Sequence, residues 1–170
     1  MLRALVLVVG ASVITLAAAS YESHPLPADA RADRIVVEKS ARKLTLFRGK
    51  TPLKSYSVAL GRAPEGTKQR EGDHRTPEGR YVIDAHKEDS AFHRALHISY
   101  PSSADSAGAA QRGVKPGGDI MIHGIRNGLG WLGAFHRAID WTDGCIAVTD
   151  KEIEEIYRAV PDGTPIEIRP

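Results

Sequence analysis

The sequence of 170 residues is poor in cysteine and in basic clusters. Its single cysteine, Cys145, cannot form a disulfide within the chain, so in an exported protein the thiol is either reactive or waiting for a partner. The formal net charge is only +2. Without a Lys/Arg run or interleaved basic and aromatic residues, nothing in the sequence indicates nucleic-acid binding.

Metal and repeat signals are also weak. Seven histidines accompany the one cysteine. This composition does not predict a zinc site, so no metal and no cofactor are expected. Internal repeats are missing, and low-complexity sequence is confined to the N-terminal region. A chain of this length fits one globular domain once its N-terminus is set aside.

The N-terminus has the pattern of an export signal. A short positive segment ends at Arg3, residues 4–19 form an uncharged apolar run, and the run closes with three alanines. The run is short for a membrane span, and its small-residue end is typical of a signal-peptidase site. We expect residues 1–19 to be a cleaved signal peptide, with a retained N-terminal anchor as the alternative. No cysteine follows the run, so a lipoprotein anchor is excluded.

Export also sets the expected location and the domain boundary. Residues 20–33 contain two prolines and several small or charged residues, and we predict a linker there. The domain proper is expected to cover residues 34–170 and to lie in the periplasm or cell envelope of a bacterium. After signal cleavage its membrane contact would be peripheral or absent, whereas a retained segment would anchor it to the inner membrane. The sequence leaves the oligomeric state open.

Strand patterns dominate residues 34–170. Segments of alternating or clustered apolar and β-branched residues predict strands, whereas helical spacing and cap residues predict only short helices. The predicted fold class is therefore mainly β with two or three short helices. The predicted strands cover residues 34–38, 43–47, 53–60, 80–84, 96–100, 119–123 and 164–168, and the predicted helices cover residues 102–111, 129–139 and 151–159.

A long polar loop, residues 61–75, lies between two predicted strands. Loops of this length in a compact domain are often functional. A mobile surface loop is an equally good interpretation for any one of its residues. His74 and Arg75, at its end, could bind carboxylates or could simply be solvated.

His123 and Cys145 have the residue types of a base and a nucleophile. A thiol needs a base to become a strong nucleophile at neutral pH, and imidazole is the usual one. Both residues lie at the ends of predicted strands, so the fold could bring them together. The structural alternatives are that Cys145 is a small buried apolar residue and that His123 only satisfies a hydrogen bond in the core.

The motifs around these two residues resemble a known family. His-Gly at residues 123–124 and Thr-Asp-Gly-Cys-Ile at residues 142–146 are similar to the signature of the L,D-transpeptidase catalytic domain family (YkuD-like). The segment GDHRTPEGRY, residues 72–81, and Leu-Gly at residues 60–61 are similar to upstream elements of that family. The resemblance covers most of the chain after residue 33.

This resemblance implies a β-sandwich-like fold and an activity on the stem peptides of peptidoglycan. It makes Cys145 the nucleophile, which attacks the amide after the L-centre of diaminopimelate, and His123 the base. The resulting acyl-enzyme is resolved by an amine, in cross-link formation or protein attachment, or by water. The backbone carbonyl of Gly124 takes the position that orients the imidazole in the family.

The turn before the nucleophile supplies further candidates. The backbone N–H groups of Gly144 and Cys145 are natural donors to the oxyanion of a tetrahedral intermediate. A hydrogen bond from or to Thr142 could fix the loop. Packing is the alternative role for Trp141, and a structural role is the alternative for Arg126. The residues predicted to contact the substrate are Thr142, Asp143, Arg75, Trp141 and Arg126.

Two positions depart from the family pattern. Asp143 stands where the family commonly has His. Its carboxylate would disfavour the thiolate unless it turns away or pairs with a cation such as His136, Arg137 or Arg126. Ala147 stands where relatives often carry Arg or Asn. The Thr-Asp-Gly-Cys variant resembles a subgroup linked to cutting peptidoglycan attachments, so a hydrolase of the same bond is the alternative function. A non-enzymatic cell-wall binding module is the third.

Overall fold

A computed structural model describes residues 24–170. The predicted signal segment, residues 1–19, and the first part of the predicted linker lie outside the described residues. Within residues 24–170 no helix has both the length and the apolar character needed to cross a membrane.

Eight strands and three short helices make up the described chain, and the predicted mainly β fold is confirmed. The strands are β1 (Arg34–Glu38), β2 (Lys43–Arg48), β3 (Thr51–Ser57), β4 (Gly79–Ser90), β5 (His93–Ile98), β6 (Met121–His123), β7 (Ile146–Ala147) and β8 (Pro165–Arg169). The helices are α1 (Ser103–Gln111), a 3₁₀ helix (Gly130–Ala138) and α2 (Asp150–Ala159). The strands form one sheet in the order β3-β2-β1-β8-β4-β5-β6-β7.

The long strand β4 joins the two halves of this sheet. Its first residues pair with β8, and the part from Ile83 onward pairs with β5. The last strand, β7, then returns to the chain that follows β3, where Ala59 and Ala147 exchange two backbone hydrogen bonds of 2.9 and 2.8 Å. This return brings the residues just before β7 next to the polar loop that begins at Gly61.

Helix α2 packs on the sheet because its sequence supplies both a cap and an apolar face. The Thr149 hydroxyl accepts the Glu152 N–H, and the Glu152 carboxylate accepts the Thr149 N–H, which forms a capping box. Ile153 and Ile156 are fully buried against the core, and burial of each contributes about 1.5–3 kcal/mol. The predicted helix over residues 151–159 is therefore present with the expected buried face.

The segment predicted as a helix over residues 129–139 differs from expectation. It forms a 3₁₀ helix that is broken at Gly133, where φ is 49°. Glycine lowers helix propensity and permits this left-handed conformation. The apolar residues that suggested a packed helical face are instead largely exposed. These residues are Leu129 at 41%, Trp131 at 79%, Phe135 at 84% and Ile139 at 70% exposure.

Part of the predicted linker packs on the domain. Residues 24–33 contain no helix or strand, yet Leu26 and Ala32 are buried in the core. The Ala32 N–H donates to the Ala159 carbonyl at 2.8 Å, and Arg158 donates to the Leu26 carbonyl at 3.1 Å. These contacts attach the segment to the end of α2.

Candidate active site

The sheet places His123 and Cys145 on the same face. His123 ends β6 and lies opposite Ala147 of the parallel strand β7. Cys145 precedes Ala147 by two residues, and side chains two residues apart along an extended chain point the same way. Both side chains line one cavity of about 340 Å³. The fold thus brings together the two residues that the sequence paired as base and nucleophile.

His123 is held by the backbone of the next residue. Its Nδ1 lies 2.7 Å from the Gly124 carbonyl oxygen, and only 3% of the residue is exposed. The Gly124 N–H in turn donates to the carbonyls of Phe92 and Arg94 at 3.1 and 3.2 Å. A hydrogen bond from Nδ1–H to a carbonyl fixes the neutral tautomer and leaves Nε2 as the ring nitrogen available for proton transfer.

Two aromatic rings also fix the imidazole. The Phe92 ring centroid lies 4.5 Å from that of His123, and the Trp141 ring approaches His123 edge-on at 5.7 Å. Such contacts contribute beyond simple area burial. Trp141, predicted as a substrate contact or a packing residue, therefore packs on the base.

Burial shifts the pKa of both His123 and Cys145. It lowers the pKa of His123 to about 4, although the hydrogen bond to Gly124 acts in the opposite direction. It also raises the pKa of Cys145 to about 11, with the N–H of Met121 opposing the change and the charge of Asp119 adding to it. At neutral pH these two shifts favour a neutral imidazole and a neutral thiol over a thiolate–imidazolium pair.

The thiol contacts a backbone carbonyl that sequence reasoning missed. Cys145 Sγ lies 3.5 Å from the Asp119 carbonyl oxygen. Asp119 has a φ of 54°, which is uncommon for a residue other than glycine. No sequence motif marks this residue, because the contact depends on the loop that leads into β6.

The turn before Cys145 is closed by Thr142. The Thr142 hydroxyl donates to the Cys145 carbonyl at 2.7 Å and accepts the Gly144 N–H at 3.1 Å. Thr142 is only 4% exposed, so its hydroxyl fixes the turn as the sequence indicated. The Gly144 N–H, predicted as an oxyanion donor, therefore already has an acceptor inside the turn. Of the two predicted donors, the Cys145 N–H is the one that remains.

The polar loop 61–75 packs backbone against backbone on this turn. A Cβ atom on Gly61 would lie 2.2 Å from the His74 carbonyl oxygen, and one on Gly144 would lie 2.6 Å from the Arg75 carbonyl oxygen. Only glycine allows such an approach, and Gly144 also has a φ of 128°. The loop therefore forms one wall behind the nucleophile.

Buried lysine side chains hold the same loop in place. Lys39, whose side chain is 3% exposed, donates to the carbonyls of Gly66 and Thr76 at 2.6 and 3.1 Å and pairs with Glu78 at 2.7 Å. Lys68, equally buried, pairs with Asp73 at 2.9 Å. These contacts favour a fixed loop over a mobile surface loop.

The side chains that pair with the Asp143 carboxylate come from the polar loop 61–75. The carboxylate accepts a hydrogen bond from the Arg62 guanidinium, and His74 Nδ1 lies 2.8 Å away. The Arg62 hydrogen bond lowers the pKa of Asp143, and His74 adds to the effect. The proposed partners His136, Arg137 and Arg126 are therefore wrong. The other departure, Ala147, is fully buried in the sheet.

The remaining predicted substrate contacts, Arg75 and Arg126, line other cavities. Arg75 lines a separate cavity of about 510 Å³ together with Arg70 and Arg112. Arg126 is exposed and lines a third cavity of about 590 Å³, which Trp141 also lines. Neither arginine is among the residues that line the cavity of His123 and Cys145.

Asp150 is a second residue that the sequence did not assign to the site. Its carboxylate accepts the Ile125 N–H at 2.8 Å. A Cβ atom on Gly124 would lie 2.8 Å from the same carboxylate oxygen. Asp150 therefore fixes the backbone that follows His123, and the only available signal was its place beside the Thr149 cap.

Two histidines of β5 have a spacing that could suggest a metal site. His93 and His97 are four residues apart, a spacing that chelates metals on a helix. Here both lie on strand β5, and they contact Glu154 and Asp84 at 2.7 and 2.6 Å. Within residues 24–170, no group of three or more His, Cys, Asp or Glu side chains is placed to hold a metal ion.

A curated protein is similar to this chain in sequence. The chain is 31% identical over 110 residues to YafK of Escherichia coli (strain K12), whose name assigns it to the L,D-transpeptidases; the match covers 64% of this chain and 37% of YafK. The chain therefore spans well under half of that relative's length.

Solved structures share the fold. The cell shape determining protein Pgp2 (K307A mutant) from Campylobacter jejuni matches with a TM-score of 0.62 and 22% identity, covering 87% of this chain and 50% of Pgp2. L,D-transpeptidase 3 from Mycobacterium tuberculosis, solved with a faropenem-derived adduct, matches with a TM-score of 0.54 and 16% identity, covering 82% of this chain and 60% of that protein.

The family comparison covers nearly all of the described domain. The L,D-transpeptidase catalytic domain (YkuD) matches residues 32–168, a range that contains His123, Cys145 and the polar loop 61–75. The chain belongs to the L,D-transpeptidase catalytic domain family.

Proposed function

We propose that this chain is a peptidoglycan L,D-transpeptidase in which Cys145 is the nucleophile and His123 the base. The observation that carries the proposal is that both side chains line one cavity while the Gly124 carbonyl holds the imidazole. The family membership supports an enzyme that acts on stem peptides.

The chemistry follows from the neutral resting pair. Cys145 Sγ attacks the carbonyl carbon of the amide that follows diaminopimelate, and His123 Nε2 takes the thiol proton during the attack. The C–N bond then breaks, the amine leaves with that proton, and a thioester remains on Cys145. An incoming amine or water forms the new bond to the carbonyl carbon, the C–S bond breaks, and the proton returns through His123 to the thiol.

The Cys145 N–H supports the negative oxygen of each tetrahedral intermediate. A backbone donor aimed at a developing oxyanion contributes about 3–4 kcal/mol in enzymes of this kind of chemistry. The Gly144 N–H already donates to Thr142, so its contribution is to hold the turn that presents Cys145.

A hydrolase of the same bond is the second candidate function. The two activities share every step up to the thioester and differ in whether water or an amine attacks it. Asp143, in place of the usual His before Gly-Cys, is the feature that favours the hydrolase. Both functions require the same nucleophile, so one variant tests what they share and product analysis separates them.

Intact-protein mass spectrometry after incubation with faropenem tests the nucleophile. We expect one covalent adduct on the unmodified chain and none on Cys145→Ala. With a stem tetrapeptide that ends in D-alanine, release of D-alanine should be lost in the same variant. A diaminopimelate-type amine is then supplied, and incorporation identifies the transferase whereas a hydrolysed product alone identifies the hydrolase. Unchanged D-alanine release by Cys145→Ala would sink both candidates.

We also propose that the protein is exported and acts in the periplasm or cell envelope. The proposal is based on the signal-like pattern of residues 1–19 and on the location of peptidoglycan. The mass of the protein recovered from a periplasmic fraction tests it: loss of about 19 residues indicates cleavage, and full length in the membrane fraction indicates a retained anchor. Recovery of the full-length chain in the cytoplasm would contradict export.

A further inference from the structure

A large apolar cavity adjoins the proposed active site. It has a volume of about 590 Å³, which places it within the size range of ligand sites. Its lining is mostly aliphatic and aromatic side chains, with a single arginine, Arg126. Other lining residues are Phe92, Ile125, Leu132, Phe135, His136 and Trp141.

Two residues that line the apolar cavity also pack on the proposed base, His123. Phe92 lines both the apolar cavity and the cavity of Cys145. Phe92 and Trp141 are also the two rings that pack on His123. A ligand in the apolar cavity would therefore lie one aromatic side chain away from the imidazole.

One buried polar atom of the lining has no partner. The Trp141 indole N–H donates to His136 Nδ1 at 3.3 Å. Burial lowers the pKa of His136 to about 4, so the ring is neutral at pH 7 and its proton is on Nε2. Within residues 24–170, no group accepts a hydrogen bond from this atom, although His136 is only 6% exposed. A buried donor without an acceptor is destabilising, and a bound acceptor would relieve that penalty.

We infer that the apolar cavity is the amine-side subsite, and that it binds a peptide with a bulky apolar side chain next to the reacting amine. A peptide carbonyl would accept the hydrogen bond from His136 Nε2. This inference rests on the proposed function, because it assigns the cavity to one side of the bond that Cys145 cleaves or forms.

The proton transfers proposed for His123 assign the apolar cavity to the amine side of the bond. When the C–N bond breaks, the leaving amine takes its proton from His123; when an amine attacks the thioester, it gives its proton to His123 as the C–S bond breaks. The amine must therefore lie against the imidazole in both directions. Diaminopimelate and D-alanine carry only a polar and a methyl side chain, so neither accounts for 590 Å³ of apolar space. A polypeptide amine with an aromatic or large aliphatic neighbour fits it.

A matched pair of tripeptides tests the subsite. Glycyl-phenylalanyl-glycine and glycyl-asparaginyl-glycine differ only in the side chain that would enter the cavity. Titrated into the full chain carrying Cys145→Ala, the phenylalanine peptide should bind at least about tenfold more tightly, since burial of its ring contributes about 1.5–3 kcal/mol.

Two exposed residues of the 3₁₀ helix provide the control. Phe135 lines the cavity and is 84% exposed, whereas Trp131 is 79% exposed and is not among the lining residues. Phe135→Ser should reduce the preference for the phenylalanine peptide severalfold, and Trp131→Ser should leave it unchanged. Replacement of His136 by Phe should weaken binding about threefold to tenfold, and His136→Gln, which keeps a donor, should restore part of it.

The outcomes separate this inference from the proposed function. Failure of faropenem to acylate Cys145 in the unmodified chain would count against the function itself. If the adduct forms but the two tripeptides bind equally, the subsite assignment alone is overturned. Equal losses in Phe135→Ser and Trp131→Ser would overturn it as well.

Discussion

A hydrogen bond of 2.7 Å joins the imidazole of His123 to the carbonyl oxygen of Gly124. The orienting group of the proposed base is therefore a backbone atom, and it cannot be removed by replacing a side chain. Its position depends on how closely the chain at Gly124 packs on Phe92 and Asp150, where an added Cβ atom would lie 3.0 and 2.8 Å from oxygen atoms.

The first prediction concerns Gly124→Ala. The added methyl group must displace the Phe92 carbonyl or the Asp150 carboxylate, and with them the carbonyl that orients His123. We expect a loss of turnover of about tenfold to a hundredfold and a loss of about 1–3 kcal/mol in the free energy of unfolding. Stem-peptide turnover and urea unfolding measure the two effects.

Gly108→Ala is the matched control for that change. Gly108 lies in helix α1, where a Cβ atom would meet only the flexible end of Arg112 at 3.4 Å. This substitution should stabilise the protein by roughly 0.5–1 kcal/mol and leave turnover unchanged. Wild-type turnover in Gly124→Ala would show that the local packing does not position the base.

The second prediction concerns the reactivity of the thiol. Because burial raises the pKa of Cys145 to about 11, the thiolate fraction is small at pH 7 and grows about tenfold per pH unit below the pKa. The rate of alkylation by iodoacetamide should therefore rise steadily from pH 7 to pH 10. Glutathione, measured in parallel, should level off near its ordinary thiol pKa of about 8.5–9. A plateau for Cys145 at neutral pH would instead indicate a thiolate–imidazolium pair.

The third prediction concerns stability in acid. Burial lowers the pKa of both His123 and His136 to about 4, from the 6.5 of a free imidazole. Between pH 4 and pH 6.5 the two histidines are protonated in the unfolded chain but not in the folded chain. Their contribution to the free energy of unfolding is therefore fully present above pH 6.5. It is lost as the pH falls toward 4, by roughly 3 kcal/mol for each histidine.

Replacing one of the two histidines isolates this effect. In His136→Phe the loss of unfolding free energy between pH 6.5 and pH 4 should be smaller than in the unmodified chain by roughly 3 kcal/mol, as measured by urea unfolding at a series of pH values. The same slope in both proteins would mean that His136 is not buried in its neutral form.

Cys145 and His123 could be singled out from the sequence because each lies in a short contiguous motif, and the structure places both on one cavity. His-Gly at residues 123–124 contains both the base and its orienting carbonyl. The hydrogen bonding of the turn could not be predicted, since the spacing of Thr142 and Gly144 does not reveal that the Thr142 hydroxyl accepts the Gly144 N–H. A short motif fixes which residues are present, whereas the partners inside a turn depend on its dihedral angles.

Long-range partners escaped the sequence for a different reason. Arg62 lies 81 residues before Asp143, and Phe92 reaches His123 from the turn before β5. The first contact depends on the return of β7 to the chain after β3 and the second on the pairing of β5 with β6. No local sequence pattern encodes either pairing. The exposed apolar face of residues 129–139 was also unpredictable, because helical spacing does not distinguish a face buried in the core from one that lines a cavity.

The fourth prediction concerns the charge beside the thiol. The negative charge of Asp143 is one of the smaller contributions that raise the pKa of Cys145, after burial and the charge of Asp119. Asp143→Asn should therefore increase the alkylation rate at pH 8, by less than about threefold, because the carboxylate is exposed and screened by solvent. Arg62→Ala, which removes the cation that pairs with Asp143, should slow alkylation by a similar factor. Both differences should fade in about 1 M salt, since the Debye length falls to about 3 Å. Changes of the same sign in the two variants, or changes that persist in high salt, would mean that they alter the shape of the turn and not its charge.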